Sequence, residues 1–210
     1  MKICHKYRNL IDSSFNTKIN MKDWSLYSEY ENCDIFSSNK NDRKMAIKKV
    51  NGLYAHEIAS RFWNIDDTIK LEWDQSIQSM KILEQLSPNC AVIHLKMKRI
   101  WPAKARDCVI CTEILQIADN EWVVNNISVD YPIVKVSPEY TRMSCNINMF
   151  VKEDLIDKTK SKTRDNIIST ISYRADVDVG TWVSNAIVSA ICHKTWVSTL
   201  DDLCNTIKKQ

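Results

Sequence analysis

Glycine is nearly absent from this chain: Gly52 and Gly180 are the only two in 210 residues, where about fifteen would be average. A phosphate-cradling loop needs several residues without a Cβ, so that backbone N–H groups can close on the anion. Neither GxxxxGK(S/T) nor GxGxxG can be written with two glycines, and the nucleophile elbow GxSxG fails for the same reason. Nucleotide-loop enzymes and α/β-hydrolases are therefore excluded. Long apolar runs are missing too. The most apolar stretches, 91–95, 108–117 and 186–192, fall far short of the roughly 18–20 residues that cross a bilayer. The first eight residues, Met-Lys-Ile-Cys-His-Lys-Tyr-Arg, hold no apolar core of a secretory signal. A soluble, cytoplasmic protein is expected. Charge of one sign is also scarce: 29 Lys+Arg against 26 Asp+Glu leave a net of +3, too little to argue for nucleic acid from the total.

What is present fits one globular domain with a sizeable core, at 44% hydrophobic and 26% charged. Residues 1–22 are expected as a flexible lead-in and residues 23–210 as the folded unit. The eight cysteines, in a chain with no visible signal, are not expected to form a disulfide framework. Cys108-Val-Ile-Cys111 lies in a strand-like run, where positions three apart point to opposite faces, so the pair reads as core thiols rather than a zinc knuckle. His56-Glu57 starts like HExxH, but residue 60 is Ser and the second ligand is missing. No metal and no cofactor are expected.

Residues 1–40 are polar and weakly periodic, with one helical piece around 23–30. A short strand is expected over 44–50, closed by Asn51-Gly52. Leu53–Trp63 carries Ala55, Ile58, Ala59 and Phe62 at helical spacing. Residues 91–98 alternate, with Ile93, Leu95 and Met97 on one face and His94, Lys96 and Lys98 on the other. Further strands are expected over 107–117, 121–129, 141–151 and 166–177, as in an antiparallel sheet with one wet face. From Trp182 to Ile207 an apolar stripe (Val183, Ile187, Ala190, Val197, Leu200, Cys204, Ile207) describes a long helix interrupted only by Lys194. Helix, sheet, long helix is the order of an α+β domain in which a curved antiparallel sheet grips one helix.

Five strings carry more than periodicity: Trp73-Asp74, Lys98-Arg-Ile-Trp-Pro-Ala103, Arg106-Asp107, the run from Trp122 to Asp130, and the run from Ile171 to Trp182. In order and almost end to end, they resemble the START lipid-transfer family, and within it the ceramide branch. The resemblance implies a helix-grip fold around a deep cavity that holds one lipid. It also implies that an acid, an Asn and a Tyr meet the headgroup, here Asp74, Asn126 and Tyr173. Asp74 is one methylene shorter than the Glu usual in that branch. Where the branch has a Gln, this chain has Leu95, on the apolar, inward face.

A ceramide headgroup offers two hydroxyls and an amide, enough to satisfy a carboxylate, an amide and a phenol that would be costly to bury alone. It carries no phosphate, and the matched positions supply no cations or choline cage. With Leu95 in place of Gln, a diacylglycerol becomes a plausible alternative. A membrane gate is expected at Trp101-Pro102 and at Trp182. Lys96, Lys98, Arg99, Lys104 and Arg106 against Asp107 alone leave net +4 over twelve residues there, suited to transient contact with an anionic surface. The expected protein is thus a monomeric lipid carrier at endoplasmic reticulum and Golgi membranes that does not bind nucleic acid. The rivals are a lipid sensor that does not transfer (for diacylglycerol, sterol or phosphatidylcholine), and an enzyme using Asp74 and Tyr173. No nucleophile–histidine pair supports the second.

Overall fold

A computed structural model describes residues 20–40, 43–99, 104–178 and 185–209. The chain begins with an antiparallel meander, β1 (Trp24–Tyr30), β2 (Cys33–Ser38) and β3 (Lys44–Asn51). Two helices follow, α1 (Ala55–Trp63) and α2 (Asp67–Trp73). They lead to β4 (Ile77–Ser87), β5 (Cys90–Met97), β6 (Ala105–Ala118), β7 (Glu121–Ser128), the short β8 (Tyr140–Arg142), β9 (Ser144–Leu155) and β10 (Ile167–Asp178). Helix α3 (Asn185–Lys208) closes the chain. All ten strands form one sheet in the order β1-β2-β3-β10-β9-β7-β6-β5-β4. β8 pairs parallel with β6, and every other pairing is antiparallel. The expected α+β helix-grip architecture is the one observed.

The helices lie on one face of the sheet because alternate strand residues there are apolar and continuous with the helices' own stripes. Ala55, Ile58, Ala59 and Phe62 of α1 pack with Ala46, Val50, Val124, Met149, Val151 and Ile171 from the strands, and with Leu200, Leu203, Cys204 and Ile207 from α3. An ion pair secures the grip: Lys48, buried on β3, reaches Asp201 of α3 at 2.6 Å. Glu57 is explained by the start of α1, where its carboxylate accepts from the N–H of Tyr54 and pairs with Arg164. Gly52 takes a positive φ of 76° in the turn from β3 into α1, a backbone conformation that a side chain would strain.

Two secondary-structure expectations fail, and two elements were not foreseen. The segment 23–30 is not helical but is edge strand β1. A register shift between Leu26 and Ser28 breaks its alternation, and most of its side chains meet water, so neither period shows in the sequence. Residues 64–90, where no element was legible, hold α2 and β4. β4 slips register at three places along β5, which converts a period of two into an apolar spacing of three at Ile77, Met80, Leu83 and Leu86. The single strand expected over 141–151 is two, because the N–H of Met143 turns aside to the carbonyl of Asp107 between β8 and β9. The CxxC reading holds: Cys108 joins the helix-side cluster and Cys111 the opposite one. Cys33, Cys108, Cys111 and Cys204 are buried free thiols, but Cys90 is disulfide-bonded, so the cysteines are not all thiols as expected. Burial pushes Cys33 and Cys204 up to about 11 and Cys111 to about 12.

Candidate functional site

Tyr173 stands on the helix-covered face of β10, opposite Ala46 of β3 and Met149 of β9. Its ring meets Phe62 of α1 edge-on at 6.0 Å and Trp196 of α3 at 5.7 Å. The rings continue in both directions, from Trp196 to His193 and Tyr27, and from Phe62 to Trp73. Trp73 is almost wholly buried, and its indole N–H has no acceptor among the described residues. Between Phe62 and Trp73 lies the ammonium of Lys70, 4.6 and 4.5 Å from the two ring centres, donating at 2.5 Å to the carbonyl of Phe62. That carbonyl belongs to the last turn of α1, so the lysine caps a helix C-terminus. Burial lowers its pKa to about 8, with Asp74 opposing the shift.

Asn126 lies on the same face of the sheet. Its side-chain oxygen accepts from the hydroxyl of Thr112 at 2.6 Å, both residues being buried. Asn126 opposes Ile147 of β9, and Tyr173 opposes Met149 two residues along the same strand, so the two polar positions are diagonal neighbours across β9. Leu95 belongs to a separate aliphatic cluster with Ile77, Met80, Ile93, Cys108, Ile110 and Met143. It opposes Cys108, four residues from the Thr112 that pairs with Asn126, or about 13 Å along β6.

Asp74 ends α2. One carboxylate oxygen accepts from the N–H and the hydroxyl of Ser76. It lines a groove of about 280 Å3 between the end of α2 and α3, together with Trp73, Lys194, Thr195, Ser198 and Asp202. The structure thus brings Tyr173, Trp73 and Phe62 into one cluster, with Asn126 beside them and Asp74 at the rim. Leu95 stands apart. Sequence reasoning missed Phe62, Lys70, Thr112 and Trp196 as neighbours. Thr112 was legible: in β6 it takes the inward slot between Ile110 and Ile114. Lys70 was not, because α2 itself was not.

Trp101, Pro102, Trp182 and Gly180 lie outside the described residues. Asp107, a few residues along the sequence from the first two, is buried and engaged. Arg142 donates to both its oxygens at 2.9 and 3.0 Å, and His94 lies 2.8 Å away. Burial alone would raise its pKa, but these hydrogen bonds outweigh it and hold the carboxyl below the usual range. Among the described residues no group of His, Cys, Asp and Glu is arranged to hold a metal, and no helix is long and apolar enough to cross a membrane.

An open antiparallel sheet gripping a C-terminal helix, with buried polar groups on the gripped face, defines the helix-grip class of lipid-binding domains. A START-domain family model matches residues 16–210, and the chain belongs to that family of lipid-binding and lipid-transfer domains. Over 178 residues it is 29% identical to the ceramide transfer protein of Xenopus tropicalis and 27% identical to that of Homo sapiens. Each alignment covers 80% of this chain but only 28% of the relative. The fold is similar to human STARD10 (TM-score 0.72, 13% identity, 96% of this chain and 79% of that one). It is also similar to human StAR-related lipid transfer protein 5 (TM-score 0.71, 13% identity, 96% and 92%).

Proposed function

We propose that this chain takes up one ceramide-like lipid beneath α3 and carries it between membranes. The observation that carries the reading is the buried Thr112–Asn126 hydrogen bond, set among apolar side chains and diagonal to Tyr173. An amide and a phenol on such a face suit a neutral headgroup with hydroxyls and an amide. Asp74 adds an acceptor at the rim, since its second oxygen takes no hydrogen bond among the described residues. The buried cation Lys70 is engaged by the Phe62 carbonyl and two rings, so it does not call for a phosphate. The ceramide transfer relatives support the same headgroup. Leu95 favours one variation: an aliphatic side chain at that inward position offers the lipid no hydrogen bond, which a diacylglycerol tolerates better than a ceramide.

Carriage follows from magnitudes. Exposing a two-chain lipid to water costs about 0.8 kcal/mol per CH2, or tens of kcal/mol in total. An apolar enclosure removes most of that barrier, and because enclosure and bilayer are alike, loading and unloading are both feasible. The binding unit is taken as residues 23–210 with 1–22 as lead-in, acting as a cytoplasmic monomer at endoplasmic reticulum and Golgi membranes. The gate is formed by Trp101, Pro102 and Trp182. Lipids co-purifying with the chain, read by mass spectrometry, test the headgroup: ceramide is expected, diacylglycerol would select the variation, and sterol or phosphatidylcholine would sink the assignment. Replacing both Trp101 and Trp182 by Ala is expected to abolish vesicle-to-vesicle transfer with the fold intact. A wild-type chain that binds lipid without transferring it is a sensor, and chemically altered lipid would mark an enzyme.

A further inference from the structure

The connection from β7 to β8, residues 129–139, presents Ile133 at 81% exposure and Val136 at 59%, the two most exposed of the large hydrophobic side chains described. The loop is nevertheless held in place. Tyr131 and Val134 pack on the cluster of Cys90, Val92, Val109 and Ile127. The Tyr131 hydroxyl donates to Glu84, and the carbonyl of Val134 accepts from Arg142, the same guanidinium that grips Asp107. The N–H of Val134 closes a turn on the carbonyl of Tyr131, so Pro132 and Ile133 form its tip. Single exposed apolar side chains are ordinary on a protein surface; what sets these two apart is that the loop presenting them is anchored and flanked by lysines.

The position of the loop selects the partner. β8 runs parallel to the first residues of β6, with Tyr140 opposite Ala105 and Thr141 opposite Arg106. The loop therefore emerges at the same edge of the sheet as the basic segment between β5 and β6. Lys98 and Lys104 of that segment are exposed, as is Lys135 of the loop itself, and Lys96 lies over the ring of Tyr140 at 5.0 Å. Arg99 and Arg106 add to the cations. Against them stand Asp130 and Glu139, because Asp107 is buried under Arg142 and His94. Apolar tips flanked by lysines match a bilayer interface with anionic headgroups, where the tips sit at acyl depth and the lysine stems snorkel to phosphate.

We propose that Ile133 and Val136 form a membrane-inserting element of this chain, which docks jointly with the exposed lysines Lys98, Lys104 and Lys135 on an anionic bilayer. The proposal rests on the reading of the chain as a membrane-visiting carrier. It adds an anchor outside the gate residues and fixes which edge of the sheet faces the lipid. The test is co-sedimentation of the full chain with phosphatidylcholine vesicles containing phosphatidylserine, comparing wild type with the double substitution Ile133→Ser and Val136→Ser. Both positions are solvent-facing, so thermal unfolding should be unchanged. Binding is expected to weaken by about 10-fold or more, since two apolar side chains no longer enter the bilayer. A second pair, Lys98→Gln with Lys104→Gln, should reduce the salt dependence of binding while leaving the apolar contribution in place. Wild type and serine variant binding equally would overturn the loop assignment and leave membrane docking standing. Wild type ignoring vesicles of every composition would overturn docking and the loop together. Serine substitutions that abolish a protein–protein association but leave vesicle binding intact would assign the loop to a protein partner and refute the proposal.

Discussion

Under the C-terminal half of α3 the helix-covered face of the sheet is filled by rings in series: Trp73 lies tilted against Phe62, and Phe62 and Trp196 each meet Tyr173 edge to face. Toward β4 and β5 the same face is filled by Ile77, Met80, Ile93, Leu95, Cys108, Ile110, Met143 and Cys145, with no aromatic among the described residues of that cluster. Rings have fixed outlines and favour a few mutual angles, so a series of them sets the distance between α1, α3 and β10. Methionine, unbranched and flexible, repacks around what lies against it, and Met80 and Met143 stand in this half. The ring half therefore behaves as a scaffold and the aliphatic half as an adaptable wall. Ile147 touches both clusters, and Asn126 stands opposite it. The buried polar pair thus sits on the seam between the two.

The largest expected effect separates scaffold from wall. Phe62→Ala removes a ring that contacts Trp73, Tyr173 and the Lys70 ammonium, and should cost about 3–5 kcal/mol in urea unfolding. Leu95→Ala should cost about 2 kcal/mol, the low end for such a truncation, because the neighbouring Met80 can collapse into the space. Equal costs would mean that the two halves are packed alike.

How legible this division was in the sequence depended on how regular each strand is. β6 keeps an unbroken register over Cys108, Ile110, Thr112 and Ile114, so parity alone puts the polar Thr112 on the face of its apolar neighbours. β4 and β1 could not be read this way, because register shifts at Ile77/Ser79, Ile82/Glu84, Gln85/Ser87 and Leu26/Ser28 scramble the period. The scaffold rings come from α1, α2, β10 and α3, which are far apart in sequence. Each was visible alone, except in the unread α2, but nothing local says that Phe62 lies over Tyr173. Leu95 was readable as apolar and inward from alternation alone. Its distance from Asn126 required the register of β5 on β6.

The two halves should also answer differently to pH. The edge of the aliphatic half is tied by Asp107, which joins β6 to Arg142 of β8 and His94 of β5. Its pKa is held low, so its contribution is present above about pH 4, the unfolded value, and is lost as pH falls through the folded value. Arg142→Ala should cost about 3 kcal/mol at neutral pH, since a buried carboxylate loses its main partner. At pH 3, hydrogen exchange should rise in β5, β6 and β8 of the wild type before it does in β3 and β10. Loss of protection beginning in β3 and β10 would reverse the comparison.

In the ring half the sensitive group is Lys70. Burial lowers its pKa to about 8, so between pH 8 and about 10.5 the folded lysine is neutral while the unfolded one still holds its proton, and stability rises with pH there. The gain should be about 2 kcal/mol from pH 7.5 to 9.5, because each tenfold fall in proton activity inside that window is worth about 1.4 kcal/mol. The buried thiols work in the opposite sense, because raised pKa values withdraw stability as pH climbs past 9. The quantity to measure is therefore the wild-type slope minus that of Lys70→Met. Identical slopes would place the ammonium in contact with water rather than between two rings.

The smallest effect is expected from restoring a polar group to the wall. In the empty protein Leu95→Gln sets an amide against Met80, Ile93 and Cys108, none of which can satisfy it, at a cost of about 1–2 kcal/mol. A ceramide hydroxyl can return that hydrogen bond, whereas a diacylglycerol has one hydroxyl fewer and no amide. The variant should therefore prefer ceramide over diacylglycerol by about five-fold more than wild type, the equivalent of one net hydrogen bond of about 1 kcal/mol. Competition binding with the two lipids, alongside urea unfolding of the empty protein, reads both quantities at once. Selectivity unchanged with stability lost would show that the headgroup never reaches position 95. Stability unchanged would show that Leu95 already faces water or polar groups, and the aliphatic wall would have to be redrawn without it.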